Sequence, residues 1–208
     1  MGHEKKVVTE FLEVICVTYN QLDQLRCLVA SFACQTDLGF LLRIIHDGPN
    51  SEMRRSVVEM KQMYPNLRLT YEETLERFND YGHSLRDIGL TNATKDFIVI
   101  TNGDNYYVPI FVEELRKKID SEVVDIVYFD MVHSHVIHDL PNPIGYQTLI
   151  AEPRMNRIDI GSFVFRRTLG QLIGFKERGF AADGIFFEAM LATNPKISKI
   201  YKVLFVHN

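Results

Sequence analysis

The stretch FIVITNGDNYYVP, Phe97 to Pro109, decides how the rest of the chain is read. Five strand-forming residues run straight into Asn102, Gly103, Asp104 and Asn105, and Pro109 then opens a helical pattern, PIFVEELRKKI. Proline suits the first helical position, where its missing N–H would have had no partner anyway. A carboxylate and two carboxamides therefore stand at the end of a strand that reads as buried on both faces. Burying such groups unpaired costs roughly 1–3 kcal/mol each, so they are either hydrogen-bonded or face a ligand.

Working outward, strand and helix alternate. FLEVICVTYN, FLLRIIHDGPN and the short LRLTYEE read as strands that end at polar residues. Between them, QLDQLRCLVASFACQ carries Leu22, Leu25, Val29 and Phe32 at helical spacing, and SEMRRSVVEMKQMYP carries Met53, Val57 and Met60 before the stop at Pro65. YGHSLRDIGLTNAT reads as a third helix. Strands separated by helices imply βαβ units and a Rossmann-like, mostly parallel sheet flanked by helices. From about Ser121 the rhythm changes. EVVDIVYFDMVHSHVIH is β-rich, DLPNPIGYQTLIAEPRMNR reads as a loop, and IDIGSFVFRR reads as a strand. TLGQLIGF and DGIFFEAMLAT follow, with KIYKVLFVHN as a final strand. No repeat or flexible linker interrupts the chain. The expectation is one α/β domain over residues 1–208, with a nucleotide-type half to about 120 and a mixed, β-rich half from about 121.

Composition narrows the function. With 208 residues, 46% hydrophobic and 24% charged, the chain can bury a real core. Its net charge of −4 leaves no basic surplus to neutralise nucleic-acid phosphates. Cys16, Cys27 and Cys34 lack metal-ligand spacing; Cys27 and Cys34 fall on one face of a predicted helix and are expected to be buried thiols in a reducing cytoplasm. MGHEKKVVTEFLEVICV has no long apolar segment, so neither a signal peptide nor a transmembrane segment is expected. Lys6 also breaks the myristoylation pattern that would begin at Gly2.

In open parallel sheets, ligands bind at the C-terminal ends of the strands. Three polar clusters fall there: Thr18-Tyr19-Asn20, His46-Asp47-Gly48, and Asn102-Gly103-Asp104-Asn105. One such cluster is an ordinary turn. Three at successive strand ends point to a ligand site. No GxGxxG follows the first strand and no GxxxxGK[ST] occurs, which removes support for a dinucleotide site or a P-loop. A strand-end acid can hold a divalent cation, and the cation a diphosphate, which is nucleotide-sugar chemistry.

These motifs resemble the family 2 glycosyltransferases of the GT-A fold. VICVTYNQLDQLRCLVASFACQT is similar to that family's opening strand, turn and first helix, and IIHDGPN to its Asp-Asp-Gly-Ser turn. YGHSLRDIGLTNATKDFIVITNGDNYYVP resembles the segment running through Arg-Asn-x-Gly to the Asp-x-Asp-Asp motif, and GFAADGIFFEAM the Glu-Asp segment. Val17 replaces the usual proline, His46 the first Asp of the turn, and Asp87 the usual Asn. Asn102 and Asn105 replace two acids of the metal motif, and Ala182 replaces the Glu before Asp183. One Asp survives in each acidic group.

The resemblance implies an inverting, metal-dependent glycosyltransferase of the hexosyltransferase type, moving a sugar from a UDP-sugar to an acceptor hydroxyl. The acceptor, whether glycan, lipid-linked or protein, stays open. Thr18, Tyr19, Asn20, Asp47 and Gly48 would hold the donor, with Tyr19 on the base face and Asp47 accepting the uracil N–H. Arg86 would reach a uracil carbonyl or a phosphate; its competing reading is a solvated helix charge. Asn102, Gly103 and Asp104 would meet the donor diphosphate, and Asp159 the donor sugar hydroxyls. Asp104, with His207 as a further ligand, would hold Mn²⁺ or Mg²⁺. Asp183 would be the general base, although it also reads as the N-cap of the helix DGIFFEAML.

His133 and His135 share a strand face while His138 does not, and no Cys or acidic set accompanies them at structural-zinc spacing. They are expected to line the acceptor groove. Two other functions remain open. A nucleotide-sugar-binding module without turnover would explain Asn102, Asn105 and Ala182. A nucleotidyltransferase shares the α/β plan, but its Gly-rich, Lys-containing opening loop has no counterpart in CVTYNQLDQ.

Overall fold

The structure is a computed structural model that describes residues 9–133 and 145–208. Strand β1 (Leu12–Thr18) is buried along its whole length because parallel neighbours flank it on both sides. β2 (Phe40–His46) and β4 (Phe97–Asn102) pair with it in parallel, and β3 (Leu69–Glu73) continues the parallel set beyond β2. The crossovers run through helices α1 (Leu22–Ala33), α2 (Ser51–Met63) and α3 (His83–Thr91). After β5 (Tyr106–Tyr107) and α4 (Phe111–Ser121) come β6 (Ile126–His133), β7 (Gln147–Leu149) and a 3₁₀ turn, Ile160–Ser162. The chain then forms β8 (Phe163–Arg166), α5 (Arg167–Ile173), α6 (Ala182–Leu191) and β9 (Ile197–His207).

Among the described residues, one nine-stranded sheet has the order β3-β2-β1-β4-β8-β6-β9-β5, with β7 on β6. β8 inserts antiparallel between β4 and β6, β9 runs parallel to β6, and β5 is antiparallel to β9. Pairing is parallel among β1 to β4 and mixed among the later strands.

Alternation along β1 divides the core between the two sheet faces. Leu12, Val14 and Cys16 pack with α1 residues Leu25, Leu28, Val29 and Phe32, while Ile15 and Val17 join Leu85 of α3 and Phe186 and Phe187 of α6. Glu13 is fully buried in this strand. Its carboxylate pairs with Arg43 Nε at 2.7 Å and accepts from the Thr94 N–H at 2.8 Å and the Lys95 N–H at 3.3 Å. A buried charge persists only with partners of this kind.

Some expectations are corrected. Cys27 and Cys34 are exposed rather than buried, because the buried stripe of α1 is Leu25, Leu28, Val29 and Phe32. Only Cys16 is a buried thiol, and burial pushes its pKa up. The stretch read as a loop contains β7, whose residues gain ladder bonds from β6. IDIGSF begins with the 3₁₀ turn rather than a strand, because Asp159 caps Gly161 and Ser162 and bends the backbone. His135, His138, Gly2 and Lys6 lie outside the described residues. Among the described residues no helix is long and apolar enough to cross a membrane.

Candidate donor and active site

The first two strand ends are tied together by His46. The Asn20 N–H donates to its Nε2 at 3.3 Å, so Nδ1 carries the hydrogen and donates to the Gly48 carbonyl at 2.7 Å. Asn20 sits at φ 53° and Gly48 at φ 89°, left-handed positions suited to Asn and Gly. Asn50 Nδ2 donates to Asn20 Oδ1 at 2.8 Å, adding the start of α2 to the same set. An imidazole in the usual place of an acid thus serves as both donor and acceptor between loops.

Asp47 is buried, and its two oxygens accept the backbone N–H groups of Phe78 at 2.8 Å and Asn79 at 3.0 Å. Its placed role is to hold the loop after β3. That loop delivers Arg77, whose guanidinium lies 3.7 Å from the Tyr19 ring centroid. Tyr19 is 38% exposed. The sequence carried no signal for Arg77, since its partner is set by the path of the loop.

At the end of β4, a Cβ on Gly103 would lie 2.7 Å from Thr18 Oγ1, so only glycine lets the two strand ends approach this closely. Asp104 Oδ2 accepts from Gln21 Nε2 at 3.2 Å. Asp104 Oδ1 and Thr18 Oγ1 are buried with no hydrogen-bond partner among the described residues. An orphaned carboxylate oxygen at a strand end fits a hard cation. Asn105 turns inward instead: its Nδ2 donates to Thr101 Oγ1 at 3.1 Å.

Arg86 is not a solvated charge. It is 4% exposed, and its guanidinium joins three elements. Nη1 donates to Asp183 Oδ1 at 2.7 Å and to His83 Nδ1 at 3.0 Å, and Nη2 donates to Asn102 Oδ1 at 3.0 Å. The Asn102 side-chain oxygen is therefore engaged by a guanidinium. His83, which accepts from Arg86, is held toward its uncharged form by burial and then by the Arg86 charge. Its ring stacks on Phe175, whose N–H donates to Asp87 at 3.0 Å. α3 thereby fixes the segment that leads to Asp183.

Asp183 lies in the first turn of α6, whose N-cap is Ala181, so the carboxylate is not the cap. Burial pushes its pKa up to about 6 against the opposing pull of Arg86; Asp159 raises it further and His207 lowers it. A carboxyl poised near neutrality suits proton transfer.

Asp159 Oδ1 accepts the Gly161 N–H at 2.8 Å, and its Oδ2 lies 3.6 Å from His207 Nε2. His207 stacks on His133 with ring centroids 4.4 Å apart. The sequence pointed to His207 but not to its grouping with His133 and Asp159, which depends on strand pairing.

Sheet order, with three strand-end clusters and an arginine–carboxylate pair at one end of it, defines a GT-A type fold. The glycosyl transferase family 2 profile matches residues 13–170, and the chain belongs to that family. YwdF, an uncharacterized glycosyltransferase of Bacillus subtilis (strain 168), is 28% identical over 120 residues, spanning 57% of this chain and 41% of YwdF. The fold is shared with residues 1–349 of S. aureus TarS at TM-score 0.74 and 20% identity, covering 95% of this chain and 60% of that one. TarS has also been solved with UDP and with UDP-GlcNAc. The mannosyltransferase PcManGT of Pyrobaculum calidifontis, solved with GDP-Man and Mn²⁺, aligns at TM-score 0.73 and 18% identity, over 97% of this chain and 57% of its own.

Proposed function

We propose that the chain is an inverting glycosyltransferase that moves a sugar from a UDP-sugar to an acceptor hydroxyl. The observation that carries this reading is the junction of Arg86 with Asp183 and Asn102, which sets a base-competent carboxylate beside the polar end of β4. Asp183 accepts the acceptor hydroxyl's proton as that oxygen attacks the anomeric carbon from the side opposite the diphosphate. Tyr19, Thr18, Asn20, Asp47 and Gly48 form the base end of the donor site, and Gly103 and Asp104 the diphosphate end. Asp159 stands on the sugar side.

Asp104, with His207 as a further ligand, would hold Mn²⁺ or Mg²⁺, which supplies charge neutralisation to the departing nucleoside diphosphate. Residues to about 120 serve the donor and residues from about 121 the acceptor, within one domain. Three free thiols fit a cytoplasmic setting. The UDP and UDP-GlcNAc complexes of TarS support the donor class, and the Mn²⁺ complex of PcManGT supports the cation. Thermal shift with UDP-sugars, with and without Mn²⁺, followed by UDP release in the presence of acceptors, tests the reading. Saturation near 100 times the dissociation constant adds about 2.7 kcal/mol. No stabilisation by any nucleoside diphosphate in the presence of Mn²⁺ overturns it.

A further inference from the structure

Acceptors from three elements share the Arg86 guanidinium, and one of them, His83, belongs to neither the donor end nor the base. Nη1 donates one hydrogen to Asp183 Oδ1 at 2.7 Å and the other to His83 Nδ1 at 3.0 Å, while Nη2 donates to Asn102 Oδ1 at 3.0 Å. Arg86 Nε is buried with no hydrogen-bond partner among the described residues, so these three bonds are what orient the planar fork. Two acceptors leave such a fork free to swing about the line between them. The third removes that freedom.

His83 is built to be that third acceptor. A guanidinium only donates, so Nδ1 must be bare and the ring hydrogen sits on Nε2. His83 stands in the first turn of α3, three residues before Arg86 and on the same helix face, where the positive end of the helix disfavours a cation. It is 4% exposed. Burial, the Arg86 charge and Arg178 all hold it toward the neutral form, against Asp80 and the Gly179 backbone. Its ring stacks on Phe175 with centroids 5.6 Å apart, which fixes the ring plane. An imidazolium would point a hydrogen at a group unable to accept it and set two like charges 3.0 Å apart.

We propose that His83 is a positioning residue for glycosyl transfer: its bare Nδ1 fixes the Arg86 fork so that one hydrogen meets Asp183 Oδ1 and the second carboxylate oxygen is left to the acceptor hydroxyl. The inference rests on Asp183 being the base. The competing role for His83 is an aromatic filler beside Phe175.

Two substitutions separate these roles. His83→Phe keeps a ring against Phe175 and removes the acceptor; His83→Asn removes the ring and keeps an oxygen where Nδ1 stood. In a UDP-release assay with a UDP-sugar and Mn²⁺, His83→Phe should lower kcat by roughly 10–100-fold, the scale set by a misplacement of about 1 Å, with a far smaller change in donor KM. His83→Asn should restore most of kcat. A filler predicts the reverse order, with His83→Phe near parental and His83→Asn impaired, and that result overturns the proposal. A readout that needs no turnover is ¹⁵N NMR of the parent labelled at histidine, with the His83 signals assigned by their loss in His83→Asn. Near neutral pH it should show Nδ1 bare and Nε2 protonated. A hydrogen on Nδ1 overturns the proposal even if His83→Phe fails to fold. The base reading fails differently: parental transfer by Asp183→Asn removes the base, whereas parental transfer by His83→Phe beside an impaired Asp183→Asn removes only the role of His83.

Discussion

Arg86 and Asp183 are 97 residues apart in sequence and 2.7 Å apart in space, from Nη1 to Oδ1. This bond joins α3 to the first turn of α6, and the same guanidinium reaches Asn102 at the end of β4. The donor end and the proposed base are therefore mechanically one unit.

Asp183→Asn keeps the size of the side chain and an oxygen for Arg86, and removes the proton-accepting charge. Transfer should fall by roughly 10²–10⁴-fold, the usual worth of general-base help, while UDP-sugar affinity holds. Parental turnover in a coupled UDP-release assay would clear Asp183 of catalysis.

The raised pKa of Asp183 has a signature in stability. Because its carboxyl titrates near about 6 when folded, against 3.8 ordinarily, its contribution is fully present below about pH 3.8. That contribution is lost as pH rises through about 6. Urea unfolding of parent and Asp183→Asn in cation-free buffer should show this extra slope between pH 4 and about 6 in the parent only. Parallel stability curves would place the shift elsewhere.

Arg86→Ala should be among the most disruptive single changes, since it leaves Asp183 and the Asn102 oxygen without their buried donor. Breaking a fully buried pair from one side costs about 3–5 kcal/mol, and Asp183 is 30% exposed, so a loss of about 1–3 kcal/mol is expected. The urea midpoint should drop with an unchanged m-value. A drop below about 1 kcal/mol, the worth of an exposed pair, would contradict the burial described.

His46→Ala removes the link between Asn20 and Gly48. The buried Gly48 carbonyl loses its donor at a cost of roughly 1–3 kcal/mol. For a chain of this length the melting temperature should fall by about 2–12 °C. UDP binding should weaken alongside, because the Tyr19 loop loses its anchor; calorimetry with UDP reads this directly.

Asp104→Ala should leave melting unchanged without ligand, since one of its oxygens is unpartnered and the other meets only Gln21. The Mn²⁺-dependent part of UDP stabilisation should vanish. If the variant keeps that part, the end of β4 is only a turn.

Local information made much of this protein legible from its sequence alone. Helical spacing marked α1, α2 and α3, and apolar runs marked β1, β2 and β4, because periodicity depends on neighbours a few residues away. The polar residues closing those strands announced a site for the same reason. The exposure of Cys27 and Cys34 was missed because spacing alone does not say which helix face meets the sheet. Tertiary structure decided the partnerships. Arg86 could be placed on a helix, but its choice of Asp183 over solvent required α6 to fold back against α3. His46 could be seen to replace an acid, but its double bond to Asn20 and Gly48 needed two strand ends side by side. The meeting of His133 with His207 turned on a three-residue slip between β6 and β9. Such contacts arise from register and crossover between distant segments, which no local pattern in the chain encodes.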